Sequence, residues 1–294
     1  DAKAVFDQAK DKGAKGDAFD QLEKRLSEFS VSESQSQDPD PSSEQLQPII
    51  SLYTQGQLQN ALSETTQMLE RFPNSVVLYN IAGVSNAGLM QYDVAIACYK
   101  QAIKIKPDYA EGYYNMGSAL QKKGNLEAAI KSYKKALKIK PDYTDAYNNM
   151  GNALNSKGDL EAAIDSFKQA LKIKPDYAEA YYNMGGAVQK KGNLEAAIKS
   201  YKKALKIKPD FAEAYNNMGG ALVDKGDLEA AIESYKVALK IKPDYAEAYN
   251  NMGVTLMDKG DSEAAIESYT RAIKIKPNYA EAYRNMGLAL KGIV

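Results

Sequence analysis

The sequence predicts an all-α protein, a right-handed α-solenoid superhelix of stacked helix-turn-helix units. Two observations carry that prediction. The chain repeats itself every 34 residues from Ser42 to its end, so that residues 110–143 and 178–211 differ at only four positions. Within each repeat, apolar and small residues fall at helical spacing in two runs, parted by a glycine turn and closed by a proline. With such a period one unit cannot bury its apolar face alone, and neighbours must stack to make a continuous core.

The residues of one repeat justify each element. Tyr113, Met116, Gly117 and Leu120 fall at i, i+3, i+4 and i+7, one stripe of a first helix. Leu126, Ala129, Ile130, Tyr133, Ala136 and Leu137 form the stripe of a second. Between them Gly124 suits a left-handed stop and Asn125 an N-cap. Pro141 ends the second helix, and Asp142 is expected to cap the next unit. Small residues at Gly117 and Ala129 let the two helices approach closely.

Seven units are expected, at 42–75, 76–109, 110–143, 144–177, 178–211, 212–245 and 246–279; an eighth, 280–294, stops after its first helix. The first is degenerate. It keeps Gly56, Ala61 and Pro73 but carries Pro48, so its first helix is expected to begin near Pro48, where a proline suits the first helical position. It reads as an N-terminal cap. Residues 1–30 are expected to hold another helical segment, with Val5, Phe6, Phe19, Leu22, Leu26 and Phe29 as its apolar stripe. Residues 31–43, rich in Ser, Gln, Asp and Pro, read as a flexible linker.

Composition excludes several function classes. Lys+Arg and Asp+Glu balance at 38 each, so no net field draws the chain to nucleic acid or a membrane surface. There is no apolar run long enough to span a bilayer. The single cysteine, Cys98, cannot form an internal disulfide, and a reducing, cytoplasmic setting is expected. The chain has no His, which removes the usual general base and the commonest metal ligand. Its glycines lie in inter-helix turns, and none follows a strand as phosphate-binding loops require. No catalysis, metal or cofactor is expected. A start at Asp1 instead of Met is what a fragment would give.

The repeat resembles the tetratricopeptide family. The residues that carry the resemblance are Tyr113, Met116, Gly117, Leu120, Ala129, Tyr133, Ala136 and Pro141, recurring as Tyr147, Met150, Gly151, Leu154, Ala163, Phe167, Ala170 and Pro175. Tyr stands where the family pattern has Trp. The resemblance implies a scaffold that binds proteins or extended peptides. Family members that clamp chaperone tails use Lys and Arg in the groove; here those positions hold Glu, Tyr or Asn, so that ligand is not expected.

One polar position recurs on every later first helix: Asn115, Asn149, Asn183, Asn217, Asn251 and Asn285. Asn costs a helix interior about 0.6 kcal/mol relative to Ala, so propensity does not explain it. A ladder of carboxamides on a concave wall could satisfy the backbone of an extended peptide, each group offering a donor and an acceptor. In this the chain resembles the repeats of O-linked N-acetylglucosamine transferase, although Ile81 ends the ladder in the second unit. The alternative is that the asparagines cap or bridge adjacent repeats. The preceding residues, Tyr114, Asn148, Tyr182, Asn216 and Asn250, are expected either to tune specificity or to shield the seam between repeats.

The acidic row Glu111, Asp145, Glu179, Glu213, Glu247 and Glu281 has capping-box spacing from the Asp or Asn three residues earlier, and a structural role is expected. The lysine stripe Lys131, Lys134, Lys135 and Lys138 reads as a solvated outer face. At the C-terminal end Tyr283, Met286 and Leu290 would face an absent helix. Either the natural protein continues, or this end, or residues 1–30, contacts another molecule. A second reading is therefore the recruiting module of a larger enzyme such as a glycosyltransferase, and a third is self-assembly through repeat ends.

Overall fold

The computed structural model describes residues 40–291. The expected N-terminal segment (1–30), most of the expected linker and residues 292–294 lie outside the described residues. Among the described residues there are 15 helices and no strand. The chain divides into two compact units, Asp1–Ala146 and Tyr147–Val294. The first contains α1 (Ser43–Thr54), α2 (Leu58–Arg71), α3 (Val76–Gly88), α4 (Tyr92–Ile105), α5 (Ala110–Lys122) and α6 (Leu126–Ile139). The second takes in most of α7 (Thr144–Lys157), then α8 (Leu160–Ile173), α9 (Ala178–Lys190), α10 (Leu194–Ile207) and α11 (Ala212–Lys225). It continues with α12 (Leu228–Ile241), α13 (Ala246–Asp258), α14 (Ser262–Ile275) and α15 (Ala280–Lys291). Within each unit the helices form hairpins, and each hairpin packs on the next in sequence.

The hairpin turn follows from its residues. Gly124 takes φ +86°, a left-handed conformation that would strain a side chain. The next residue, Asn125, caps α6: its Oδ1 accepts from the Ala128 amide at 3.2 Å. Asn193 caps α10 in the same way at 3.1 Å. At the far end, Lys140 is extended because Pro141 follows it, and α6 stops there. The close approach of the two helices rests on Gly117. A Cβ there would lie 2.7 Å from the Tyr133 ring, which is fully buried beneath it. Ala129 and Ala136, also fully buried, keep the second helix equally near.

Two local expectations are overturned. The first helix does not begin near Pro48. It begins at Ser43, because Ser42 and Gln45 form a reciprocal capping box: the Ser42 Oγ accepts from the Gln45 amide at 3.4 Å, and the Ser42 amide donates to the Gln45 Oε1 at 2.9 Å. Pro48 then lies inside α1, on its exposed side, while Leu46, Ile49 and Ile50 are buried. Nor is the end of the expected linker idle. Asp40 accepts from the Ser75 hydroxyl and, at 3.3 Å, from the Val77 amide, tying the chain before α1 to the start of α3.

The second correction concerns the acidic row. At α5, α9, α11 and α13 the N-cap residues are Tyr109, Tyr177, Phe211 and Tyr245, and none makes a side-chain capping bond. Asp108 stands one residue too early for its side chain to cap, and its backbone carbonyl serves instead: the Ala110 amide donates to the Asp108 carbonyl at 3.1 Å. The carboxylates pair elsewhere. Lys208 lies 3.5 Å from Glu179 and Lys242 lies 3.5 Å from Glu213, each lysine also covering the ring of the N-cap residue, Phe211 or Tyr245.

Candidate functional site

Periodicity places the recurring asparagines on the first helix of each hairpin, and hydrogen bonds join Asn115, Asn183, Asn217, Asn251 and Asn285 to the hairpin before. In the first unit the Asn115 Nδ2 donates to the Asn80 Oδ1 at 2.9 Å, and the Asn80 Nδ2 donates to the Glu111 Oε1 at 2.9 Å. Asn80 was missed by the sequence reading, which stopped the ladder at Ile81. The signal was its register, since Asn80 occupies the position that Asn148 holds two repeats later.

The second unit repeats the arrangement. The Asn183 Nδ2 donates to the Asn148 Oδ1 at 3.0 Å, Asn251 to Asn216 at 3.1 Å, and Asn285 to Asn250 at 3.1 Å. Asn217 donates instead to the Tyr182 hydroxyl at 2.9 Å. Within a helix, Asn148 donates to Asn149 at 3.4 Å and Asn216 to Asn217 at 3.2 Å. Asn183, Asn217, Asn251 and Asn285 each therefore give one amide hydrogen to the seam. The carbonyl half differs. No described residue donates to the Oδ1 of Asn183, Asn251 or Asn285, and none of these oxygens is a buried atom lacking a partner. They are acceptors open to water, each held by the bond its own amide makes.

The residues preceding the ladder lie in the seam. Tyr114 is buried, its ring 4.8 Å from Tyr143 and 6.0 Å from Tyr133. Asn148, Asn216 and Asn250 are buried, Asn250 to 1 % exposure. Tyr182 is half-buried, 4.8 Å from the Phe211 ring. Burial raises its phenol pKa, the Asn217 hydrogen bond opposing and the Glu213 charge adding to the shift. Further along, Gln189 both accepts from the Tyr201 hydroxyl at 3.1 Å and donates to Asp224 at 2.8 Å.

On the opposite side of the second unit, α12, α13 and α14 enclose a groove of about 640 Å³ with Ile232, Met252 and Leu256 on its floor and Glu233, Lys236 and Arg271 at its rim. At the end, Met286 packs inward beside Leu256 and Tyr269, whereas Tyr283 and Leu290 are exposed. Leu288, which the sequence reading did not single out, is more exposed than either. Among the described residues no helix is long and apolar enough to cross a membrane.

Stacked helix hairpins with a repeated polar row define a helical repeat scaffold, a class suited to protein binding. The family profile described as TPR repeat matches residues 91–124, 122–156, 151–192, 190–223, 219–260 and 255–293, and the chain belongs to the tetratricopeptide repeat family. Among curated proteins it is similar to the probable UDP-N-acetylglucosamine–peptide N-acetylglucosaminyltransferase SEC of Arabidopsis thaliana, 32% identical over 76 residues. That match takes in 26% of this chain and 8% of the enzyme's length. Among solved structures it is similar to YrrB, described as a TPR protein with an unusual peptide-binding site. The identity is 27% and the TM-score 0.51, over 63% of this chain and 96% of that one. A tetratricopeptide repeat protein from Parabacteroides merdae shares the fold with TM-score 0.66 at 15% identity, over 84% of this chain and 98% of that one.

Proposed function

We propose that this chain is a non-catalytic scaffold whose first-helix face holds an extended peptide by its backbone. The observation that carries the reading is the row of anchored carbonyls at Asn183, Asn251 and Asn285. Their amides are tied into the seam, so the acceptors keep one orientation with little rotamer freedom to lose on binding. With one amide hydrogen held in the seam, each of these side chains would turn a fixed carbonyl toward peptide N–H groups. Neighbouring helices lie about 10 Å apart and an extended chain advances about 3.4 Å per residue, so each carboxamide would meet about every third residue. Asn148, Asn216 and Asn250 would act through the ladder by orienting it; within the second unit Asn149 and Asn217 would extend it, with Tyr182 stiffening the seam behind, and within the first unit Asn115 and Tyr114 would take the same parts. The description of YrrB as a peptide-binding TPR protein supports the same class of ligand.

The test is binding of an extended, uncharged peptide library to the chain and to an Asn183→Ala/Asn251→Ala/Asn285→Ala variant, with helicity followed by circular dichroism. The reading expects affinity to fall at least roughly tenfold while helicity persists, since each lost hydrogen bond costs about 0.5–1.5 kcal/mol. Equal binding by both forms would overturn it. A second reading, self-association through the α15 end, is favoured by the exposed Tyr283 and Leu290, with Met286 between them. It expects a mass that rises with concentration and returns to the monomer value in a Tyr283→Ser/Leu290→Ser variant. The similarity to SEC supports a third, that the repeats recruit substrate for a glycosyltransferase. That reading expects peptides captured by the chain to be acceptors of such an enzyme.

A further inference from the structure

The first-helix face of the second unit changes character along its length. Four positions per helix, at i, i+4, i+7 and i+11, share the stripe that carries the ladder. On α13 they are Glu247, Asn251, Val254 and Asp258; on α15 they begin Glu281, Asn285 and Leu288. The third position is Asn152 on α7 and Gly186 on α9, but Val254 on α13 and Leu288 on α15, which are 36% and 61% exposed. The fourth is Lys190 on α9 but Asp258 on α13.

The carboxylates change as well. Glu179 and Glu213 are matched by Lys208 and Lys242. The equivalent lysine one repeat later, Lys276, covers the Tyr279 ring at 4.6 Å as Lys208 and Lys242 cover theirs, but among the described residues Glu247, Asp258 and Glu281 form no ion pair. Two exposed cations of α15 border the stripe, Arg284 three residues after Glu281 and Lys291 three residues after Leu288, and neither forms an ion pair with these carboxylates among the described residues. Two exposed apolar side chains thus stand among three unmatched carboxylates, next to carbonyls that accept hydrogen bonds.

We propose that this end of the second unit selects extended segments in which an apolar side chain is flanked by Lys or Arg. The apolar group covers Val254 and Leu288, and the cation meets Glu247, Asp258 or Glu281. The selection rests on the backbone-holding reading above and adds sequence preference to it. An apolar residue alone would leave the carboxylates beside a newly dried surface without a counter-charge, and a cation alone would leave the two side chains in water; the paired chemistry satisfies both.

The experiment uses three peptides of equal length with Leu at alternate positions and Lys, Ser or Glu between them, bound to the full chain and followed by fluorescence anisotropy. The Lys peptide is expected to bind roughly tenfold tighter than the Ser peptide, the Glu peptide more weakly, with the spread narrowing as salt rises. In Glu247→Gln/Asp258→Asn/Glu281→Gln the Lys-over-Ser ratio collapses. In Val254→Asn/Leu288→Asn, exchanging the peptide's Leu for Asn no longer changes affinity. All five residues are exposed, and circular dichroism verifies that the variants fold. Equal affinity for the Lys and Ser peptides overturns the inference and leaves backbone holding intact; no binding of any peptide overturns both. A concentration-dependent mass abolished by Val254→Asn/Leu288→Asn assigns the patch to a second copy of the chain and also overturns it.

Discussion

The α3/α4 hairpin and the α9/α10 hairpin have the same architecture on different local signals. In α9/α10 the turn glycine, Gly192, takes φ +86° and Asn193 caps the second helix by a side-chain bond. In α3/α4 the glycine position holds Met90, forced to φ 60°, and Gln91 makes no side-chain cap. Yet α4 and α10 are both 14 residues long. What the two share is the contact between helices: Gly83 lies against Tyr99 as Gly185 lies against Tyr201, both tyrosines buried. Glycine-on-tyrosine packing fixes the hairpin, and turn and cap residues adjust its stability.

Removing the shared contact should produce the largest effect, and a similar one in both hairpins. Tyr99→Ala and Tyr201→Ala are each expected to lose about 3–5 kcal/mol, measured by denaturant unfolding. Neighbouring glycines on α9 sharpen the point. A Cβ at Gly185 would meet the Tyr201 ring at 2.6 Å, whereas one at Gly186 finds nothing nearer than the Tyr201 hydroxyl at 3.7 Å. Gly185→Ala is expected to cost about 1–3 kcal/mol and Gly186→Ala to stabilise by up to about 1 kcal/mol.

The same buried phenols make a pH prediction. Burial pushes Tyr133, Tyr235 and Tyr269 up to about 12, a hydrogen bond with Ser118 partly opposing it at Tyr133 and one with Thr255 at Tyr235, while the Asp258 charge adds to it at Tyr269; burial raises Tyr201 too. The unfolded phenol ionises near 10 and the folded one later, so the unfolded state binds fewer protons in that window. Stability is therefore fully present below about pH 10 and falls as pH rises toward 12, and Tyr→Phe substitution, as already present at Phe167, should flatten the loss. The smallest effect belongs to the turn. Met90→Gly is expected to add about 1 kcal/mol by relieving the left-handed strain, and the converse, Gly192→Met, to remove a similar amount.

The hairpins, their turns and the buried tyrosines were legible in the sequence, because each rests on residues that act within one repeat: Gly124 with Asn125, Gly117 with Tyr133. The start of α1 was not, because a capping box outweighed the proline five residues inside it. The acidic row was assigned to capping when Glu179 and Glu213 answer lysines 29 residues further on, a pairing that appears only once hairpins stack. The ladder was half legible. Its register was plain, but that its amides bond one hairpin back, 35 residues away, depends on the stacking geometry. Leu288 was passed over because only the fold distinguishes it from the buried Ala289 beside it.

On the proposed reading, the first-helix face reads peptide N–H groups through the open carbonyls of Asn183, Asn251 and Asn285. The most direct measurement compares the affinity of the chain for an extended peptide with its affinity for the same peptide N-methylated at every third residue, in each of the three registers. Methylation removes donors and leaves the side chains in place. One register is expected to lose at least roughly tenfold in affinity while the other two lose less. Affinities unchanged in all three registers would contradict it.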